Sequence, residues 1–427
     1  MLDLKLIRER PDFVRERLAR RGKPELSETV ERLLALDEER RGLIVQVDAL
    51  RARRNEASPE VGRLKKMGRH EEAEPIVLEM RELGELMRGL EERQAAVDAI
   101  VQDLLLSIPN VPDEVVPAGG EDANVCLRQW GRPAQFDFEP RPHWELGEAL
   151  GILDLPRGAK VAGSGFPLLV GLGARLERAL ITFMLDLHGR EHGYVELSPP
   201  LLINAAAATG TGQLPKFGED MYHVPEDGLY LLPTAEVPVT NVHAGELLDA
   251  EALPRHYVAY TPCFRREAGA HGKDTRGLLR LHQFDKVELV RFERPEASRE
   301  ALEELTGHAE TVLQRLGLPY RVLLLAAGDL PFANALTYDL EVWSPGVGRW
   351  LEVSSCSLYN DYQARRASIR FRPAPNAKPE FVHTLNGSGL ALPRTMAALL
   401  ETYQQADGSI CVPDVLSSYL GTDRIAA

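Results

Sequence analysis

The sequence predicts an α+β protein in which an antiparallel sheet flanked by helices follows an N-terminal antiparallel α-helical coiled-coil hairpin. Three observations support this fold class. Residues 27–106 are almost free of aromatics and rich in Glu, Arg, Leu and Ala, which is typical of long helices. Residues 107–124 are dense in Pro and Gly and predict a linker. From about residue 115, short β-like runs alternate with turns, and helical stretches occur near 171–192, 296–316 and 393–404.

Apolar residues recur every seven positions in residues 27–106, which is the spacing of a coiled coil. The repeat comprises Leu36, Leu43 and Leu50, then Leu83, Leu90, Val97 and Leu104, with Met80, Met87 and Val101 on the neighbouring seam. Between the two runs, Pro59, Gly62 and Gly68 predict a turn, so the helices form an antiparallel hairpin arm. We predict two domains, residues 1–110 with this arm and residues 111–427.

The predicted tip of the arm, residues 51–70, is basic although the chain carries a net charge of -14. It has seven Lys or Arg against two Glu. A solvated helix face is one interpretation of this charge run. Contact with a nucleic-acid phosphate backbone is the other, with Arg51, Arg54, Lys65 and Lys66 as the candidate residues.

Cysteine spacing and hydropathy exclude several classes of protein. The cysteines are far apart and form no CxxC pair, so neither a disulfide framework nor a zinc knuckle is expected; they are Cys126, Cys263, Cys356 and Cys411. No signal peptide opens the chain, and no run of 18 apolar residues occurs. We expect a soluble, cytoplasmic protein with no membrane partner.

The segment "CFRREAGAHGKDTRGLLRLHQFDKVELV", residues 263–290, predicts two strands joined by a long cationic loop. Arg265 lies at the end of the first strand, and Glu288 lies within the returning strand. An ionised group inside a strand needs a partner or a ligand. An arginine facing a carboxylate on the next strand could hold both ends of a zwitterion.

Three further stretches carry candidate ligand-binding groups. In "LYLLPTAEVPVTN", an apolar strand ends in Thr234, Ala235 and Glu236, whose hydroxyl and carboxylate suit an ammonium and a small polar side chain. In "NGSGLALPRTMAALLE", a strand with Gly387 and Gly389 leads into a helix whose start carries Arg394, an arrangement suited to an anion.

The third stretch, "RWLEVSSCSLYNDYQARR", places hard oxygen ligands along one strand. These are Glu352, Ser354 and Ser355. Magnesium takes such ligands together with substrate phosphates. Cationic, carboxylate, hydroxyl and glycine elements on one antiparallel sheet favour a site that uses a nucleotide.

These residues resemble the motifs of the class II aminoacyl-tRNA synthetases, and specifically of the bacterial-type seryl-tRNA synthetases. "GYVELSPP", residues 193–200, is similar to the first class II motif, and residues 264–288 are similar to the second. "NGSGLALPRTMAALLE" resembles the third, and "PTAEVPVTN" resembles the serine-specific loop. The resemblance covers essentially the whole chain. Arg266 and Pro393 depart from the family pattern, and Arg266 could alter how the loop closes.

The resemblance implies a class II synthetase sheet that uses ATP, Mg²⁺ and L-serine, and the residues that bind each. Arg265, Glu352 and Arg394 would be catalytic. Serine would contact Thr234, Ala235, Glu236, Arg265, Glu288, Asn386 and Ser388. ATP would contact Arg265, Arg266, Glu267, Leu281, Phe284, Glu352, Val353, Ser354, Ser355 and Arg394. Magnesium would be held by Glu352 and Ser355.

The resemblance also implies seryl-adenylate formation followed by transfer to the 3′-terminal adenosine of tRNA(Ser), with tRNA(Sec) as a second candidate, in a homodimer. One alternative is a synthetase relative that loads a small amino acid onto a carrier protein. Such relatives lack the long arm, so the heptad hairpin favours tRNA. A second alternative is an inactive synthetase body with a coiled coil. It would be expected to lose Arg265, Glu352 or Arg394, and all three are present.

Overall fold

A computed structural model describes residues 1–268 and 276–426. The described chain divides into two compact units. The helical unit comprises Leu2–Ala19 and Lys23–Ile108. The mixed unit comprises Met1, Arg20–Gly22 and the chain from Pro109 onwards.

The helical unit is a long hairpin preceded by two short helices. Its helices are α1 (Leu4–Glu9), α2 (Pro11–Ala19), α3 (Glu25–Lys66) and α4 (His70–Ser107). The predicted seam is confirmed: Leu43, Leu83, Met87, Val97 and Val101 are buried, and the other predicted seam residues are half-buried. Knobs-into-holes packing of two such stripes explains why an otherwise polar pair of helices stays together.

The predicted extent of the turn was wrong. Helix α3 continues through Pro59 and Gly62 to Lys66, and only the three residues from Met67 to Arg69 connect it to α4. Gly68 has a φ of +77°, a left-handed conformation that glycine adopts without steric cost. Pro59 is exposed, so water can satisfy the backbone carbonyl that its ring leaves without a hydrogen bond.

Within the described residues, the mixed unit contains the remaining α-helices and all the strands. Its helices are α5 (His143–Ala149), α6 (Leu155–Ala162), α7 (Leu172–Arg190), α8 (Ala205–Thr211), α9 (Glu236–Asn241), α10 (Ser298–Arg315), α11 (Tyr362–Ala367), α12 (Leu392–Thr402) and α13 (Asp414–Leu420). Its strands are β1 (Val125–Trp130), β2 (Val195–Leu197), β3 (Leu202–Asn204), β4 (His223–Val224), β5 (Leu229–Leu231), β6 (Leu247–Asp249), β7 (Arg255–Phe264), β8 (Gln283–Glu293), β9 (Tyr320–Leu324), β10 (Leu336–Ser344), β11 (Arg349–Asn360), β12 (Arg370–Arg372), β13 (Glu380–Phe381), β14 (His383–Ala391), β15 (Ile410–Cys411) and β16 (Arg424–Ile425). The three predicted helical stretches correspond to α7, α10 and α12.

An eight-stranded sheet is the main layer of this unit. Its strand order is β1-β9-β10-β11-β14-β8-β7-β2. Every neighbouring pair is antiparallel except β2 with β7 at one edge. Helices α7, α10 and α12 contribute buried side chains to the same apolar core as the sheet. The predicted antiparallel sheet with flanking helices is confirmed.

The segment around Thr234 was placed wrongly in the sequence prediction. It does not end a strand of the main sheet. The preceding strand, β5, belongs to a separate three-stranded sheet with β3 and β4, and Glu236 begins helix α9. Among the described residues, no helix is long and apolar enough to cross a membrane.

Candidate active site

A cavity of about 740 Å³ is lined by β8, β11, β14 and the starts of α9 and α12. It brings together most of the predicted site residues. Those that line it are Thr234, Glu236, Arg265, Glu267, Leu281, Phe284, Glu288, Glu352, Val353, Ser355, Asn386, Ser388 and Arg394. Residues from segments more than 150 positions apart in sequence therefore meet in one place.

Three predicted residues do not line the cavity. Ala235 is fully buried in an apolar cluster. The hydroxyl of Ser354 donates to the backbone carbonyl of Ser388 at 2.6 Å, so Ser354 supports the wall. Arg266 is exposed, and its backbone N–H donates to the carbonyl of Asp220 at 2.8 Å. Ala235 and Ser354 thus have supporting positions, and the side chain of Arg266 lies in solvent.

One polar cluster in the cavity centres on Glu288, which is 2% exposed. Lys286 forms an ion pair with Glu288 and donates to the hydroxyl of Thr234 at 2.8 Å. That hydroxyl donates to Glu288 at 3.1 Å and accepts the backbone N–H of Glu236 at 3.2 Å. A hydroxyl has one hydrogen and two lone pairs. Because Thr234 uses all three, Glu288 is the partner left to accept a hydrogen bond from a ligand hydroxyl.

The carboxylate of Glu236 is held beside this cluster by Gln363. The hydroxyl of Thr384 donates to Gln363 Oε1 at 2.7 Å, which leaves Gln363 Nε2 to donate to Glu236 at 2.7 Å. Burial, followed by the charge of Glu288, raises the pKa of Glu236 to about 7, although Lys286 opposes the shift. The charge of Glu236 therefore changes near neutral pH, and a ligand ammonium would favour its ionised form.

Asn386 and Ser388 complete this polar region from strand β14. Within the described chain, the amide nitrogen of Asn386 is buried without a hydrogen-bond partner. A buried donor left unpaired costs free energy. A ligand acceptor in the cavity would relieve that cost.

Arg265 follows β7 and faces the aromatic ring of Phe284. Its guanidinium carbon lies 5.1 Å from the ring centroid, and its Nε donates to the carbonyl of Pro233 at 3.3 Å. Nearby, Glu267 forms an ion pair with Arg280 at 2.8 Å. A cation, an aromatic face and a carboxylate are thereby available for the phosphate and the base of a nucleotide.

Arg394 lies in the first turn of α12 and is held by two other segments. Its Nε donates to the carbonyl of Leu279 at 3.1 Å, and its Nη1 donates to the carbonyl of Glu352 at 2.8 Å. The same nitrogen lies 3.4 Å from the Glu352 carboxylate. These contacts fix the guanidinium at a helix N-terminus, where an anion is favoured.

The oxygen donors beside Arg394 fit a divalent cation. Glu352 and Ser355 both line the cavity, and Asp339 lies opposite Ser355 in the β10–β11 ladder. One carboxylate oxygen of Asp339 is buried with no partner in the described part of the chain. Burial, then the charge of Glu352, raises the pKa of Asp339 well above its usual range. Hard oxygen donors of this kind match the preference of Mg²⁺.

Sequence reasoning missed Lys286, Gln363 and Asp339. Lys286 had a usable signal, because Phe284, Lys286 and Glu288 alternate along one strand and therefore share a face. Gln363 had none, since its partner Glu236 is 127 positions away. The pairing of Asp339 with Ser355 likewise depends on the register of β10 with β11.

The cationic loop expected to close over a ligand, residues 269–277, lies mostly outside the described residues. Residues 276 and 277 are described. The guanidinium of Arg276 lies 5.2 Å from the centroid of the Trp144 ring.

The predicted basic tip belongs to the helical unit, and some of its basic side chains form ion pairs with acidic residues of that unit. Arg51 pairs with Asp48 and Glu91. Three other basic residues of the tip pair with acids of the same unit, namely Arg53, Arg63 and Arg69. Arg54, Lys65 and Lys66 are exposed and have no ion pair among the residues described. These three are the cations most available to a partner.

Comparison with known proteins assigns both units. The family model described as "Seryl-tRNA synthetase N-terminal domain" matches residues 1–112, and "tRNA synthetase class II core domain (G, H, P, S and T)" matches residues 222–403. The chain is 56% identical over 427 residues to a serine–tRNA ligase of Gemmatimonas aurantiaca, a match that covers 100% of both chains. The chain belongs to the seryl-tRNA synthetase family. A family member from Carboxydothermus hydrogenoformans is 55% identical over 426 residues, which cover 100% of this chain and 99% of the other.

Solved structures of the seryl-tRNA synthetase family share the fold. The crystal structure of seryl-tRNA synthetase from Pyrococcus horikoshii complexed with ATP has a TM-score of 0.95 and 38% identity, covering 100% of this chain and 99% of that one. The cytoplasmic serine–tRNA ligase from Naegleria fowleri in complex with AMP has a TM-score of 0.89 and 30% identity, covering 100% and 98%. The predicted family and fold class are confirmed.

Proposed function

We propose that the cavity joins L-serine to ATP as seryl-adenylate and that the seryl group then passes to the 3′-terminal adenosine of tRNA(Ser). The observation that carries this proposal is that one cavity unites two kinds of group. Glu236 and Glu288 suit an amino acid, whereas Arg265, Phe284 and Arg394 suit a nucleotide. By its family the chain is a serine–tRNA ligase.

In the serine subsite, Glu236 binds the ammonium group and Arg265 binds the carboxylate. Glu288 accepts the hydrogen bond of the serine hydroxyl, since the Thr234 hydroxyl is committed to its neighbours. The free amide nitrogen of Asn386 donates to the substrate. Ser388, on the same strand, lines this subsite, and Thr234 and Ala235 hold its shape.

In the ATP subsite, the adenine stacks on Phe284 and contacts Glu267. Leu281 and Val353 supply apolar contacts, and Arg394 binds the γ-phosphate. The side chain of Arg266 is exposed and its backbone N–H donates to the carbonyl of Asp220, so we assign it no direct contact with ATP. Phosphates at the start of α12 are favoured by the helix dipole as well as by the guanidinium.

Magnesium fits the ATP subsite, where Glu352 and Ser355 would hold it together with phosphate oxygens. When bound, it offsets phosphate charge and helps to orient the phosphates. Asp339 lies opposite Ser355 in the β10–β11 ladder and is therefore a neighbour of both of these ligands.

Adenylate formation brings two anions together. A carboxylate oxygen of serine bonds to the α-phosphorus, the bond from that phosphorus to the bridging oxygen breaks, and pyrophosphate leaves. Arg265 contacts both anions, so it aligns them and reduces their repulsion in the transition state. The terminal ribose hydroxyl of tRNA then attacks the seryl carbonyl, and AMP leaves.

The arm recruits the tRNA. Arg54, Lys65 and Lys66 are exposed cations without ion pairs in the described chain, which suits phosphate contacts. Arg51 contributes less freely because two carboxylates already hold it. The partner is tRNA(Ser), with tRNA(Sec) as a second candidate.

The functional form is a homodimer that works in the cytoplasm, where translation takes place. Residues 193–200 supply much of the interface. Val195 of the edge strand β2 is 58% exposed, and Leu201 and Leu202 nearby are also exposed. An open strand edge with apolar side chains is a surface that proteins usually cover.

The test is ATP–pyrophosphate exchange with a panel of amino acids, followed by transfer of labelled serine. Exchange with serine and transfer to tRNA(Ser) is the expected result. Exchange with glycine or alanine, and transfer to a carrier protein, would overturn the proposal in favour of the carrier-loading relative. A parallel measurement of the transfer of labelled serine to tRNA(Sec) shows whether that tRNA is a second substrate.

A further inference from the structure

A fully buried histidine–glutamate pair lies outside the residues that line the cavity. His143 of α5 and Glu401 of α12 are both 0% exposed, and His143 Nδ1 lies 2.7 Å from Glu401 Oε1. The backbone N–H of Leu278 donates to His143 Nε2 at 2.9 Å. A backbone N–H can only donate, so Nε2 carries no hydrogen. The imidazole is therefore the neutral Nδ1–H tautomer, and Nδ1 donates to Glu401.

Glu401 also accepts hydrogen bonds from the turn between β10 and β11. Its Oε2 accepts the hydroxyl of Ser344 and the backbone N–H groups of Gly346 at 2.9 Å and Val347 at 3.2 Å. Burial alone raises its pKa, but hydrogen bonds from His143 and then Ser344 outweigh burial and hold that pKa below its usual range. Both oxygens of the Glu401 carboxylate thus accept hydrogen bonds, and these bonds connect α12 to α5 and to the β10–β11 turn.

His143 fixes the returning end of the cationic loop. Gly277 has a φ of +66°, and a Cβ there would lie 2.3 Å from His143 Nε2, so the loop backbone packs directly on the imidazole. The next two residues, Leu278 and Leu279, line the cavity. The carbonyl of Leu279 in turn accepts a hydrogen bond from Arg394.

We propose that His143 and Glu401 are positioning residues that set the geometry of the ATP subsite. They tie the loop return at Leu278, the turn that leads into the strand of Glu352, and the helix of Arg394 to one buried carboxylate. Neither residue lines the cavity, so both act through these segments. The inference rests on the proposed function for the identity of ATP as the ligand.

A matched pair of substitutions at His143 tests the proposal. His143→Gln retains an acceptor near the position of Nε2 for the Leu278 N–H, and the backbone N–H of residue 143 still donates to Glu401 Oε1, as it does at 2.9 Å in the wild type. His143→Asn reaches only the position of Nδ1 and leaves the Leu278 N–H unpaired. The Kd for ATP is measured by calorimetry, and KM for ATP and for serine by pyrophosphate exchange. We expect His143→Asn to raise Kd and KM for ATP about tenfold. His143→Gln should stay within about threefold, with KM for serine nearly unchanged in both.

Two further variants make the result decisive. His383→Asn alters a histidine that bonds to Ser298 at the other end of β14, and it should leave ATP affinity unchanged. Glu401→Gln keeps the shape of the side chain but replaces one acceptor oxygen by a donor. It should weaken ATP binding by about as much as His143→Asn does. If His143→Asn does not fold, the ATP affinity of Glu401→Gln tests the proposal instead.

Equal effects of Asn and Gln at His143, or a parallel loss of serine and ATP affinity, would overturn the positioning role. Unchanged ATP affinity in Glu401→Gln would do the same. If the wild-type protein shows no serine-dependent pyrophosphate exchange, that result would instead contradict the proposed function. The calorimetric comparison of ATP affinity would still test His143 and Glu401 in that case.

Discussion

Arg265 is the residue whose loss should cost most, because it neutralises charge that develops on the α-phosphate. Arg265→Ala should slow serine-dependent pyrophosphate exchange by a factor that corresponds to about 3 kcal/mol or more. The neighbouring Arg266 is exposed, so Arg266→Ala is a matched control and should change the rate little. Exchange at a near-normal rate in Arg265→Ala would show that another group supports the transition state.

Glu288 should determine the choice of amino acid. Alanine would leave this buried carboxylate without the hydroxyl that it reads, which can yield roughly 10⁴-fold rejection. Glu288→Ala should narrow the ratio of kcat/KM between serine and alanine. Lys286→Met serves as the comparison, because it removes the ion pair but keeps the carboxylate. An unchanged ratio in Glu288→Ala would mean that the serine hydroxyl is read elsewhere.

Glu236 should make serine binding depend on pH. Its pKa of about 7 in the unliganded cavity means that the carboxyl group is mostly protonated below that pH. A protonated carboxyl cannot pair with an ammonium, so KM for serine should rise as pH falls below about 7 and level off above it. Glu236→Gln should have a high KM with no such slope. A wild-type KM that stays flat between pH 6 and 8 would contradict this role.

At the residue level, the sequence predicted which groups meet in the cavity but not how they share hydrogen bonds. Motif resemblance identified Thr234 and Glu288. Only the geometry shows that the Thr234 hydroxyl has no free capacity, because this depends on Lys286 and on the backbone of Glu236. The coupling of His143 to Glu401 spans 258 positions and leaves no periodic signal in the sequence.

Among the elements, the tip of the arm gives a prediction about tRNA. Replacing Arg54, Lys65 and Lys66 by Gln should raise KM for tRNA and flatten its salt dependence by about one unit of slope for each lost phosphate contact. The matched control replaces Arg53, Arg63 and Arg69, which carboxylates already hold. Equal effects of the two triple variants would show that net charge, rather than these three residues, attracts the tRNA.

Elements with long periodic patterns were predictable, and short ones were not. The heptad repeats of α3 and α4 predict that the two helices pair, because each apolar residue of the repeat needs a partner in the opposite helix. Pro59 misled the prediction of the turn, since an exposed proline interrupts a helical hydrogen bond without ending a helix that packing supports. The six residues of α9 are too few for a periodic signal, so the segment was taken for a strand end.

At the scale of the whole molecule, the two units differ in the functional groups that they carry. The helical unit has no residue among those that line the cavity. It does carry the exposed cations of the tip. The order of the eight strands, in contrast, depends on long connections, and no local pattern in the sequence predicts it.

Deletion of residues 30–105 tests most directly the central claim that the cavity activates serine and the arm recruits tRNA. Serine-dependent pyrophosphate exchange and charging of tRNA(Ser) are measured on the same preparation. Exchange should remain largely intact while charging collapses through a raised KM for tRNA. Loss of exchange together with charging would show that the arm is needed for the cavity itself. Normal charging would show that the tRNA is held by the mixed unit alone.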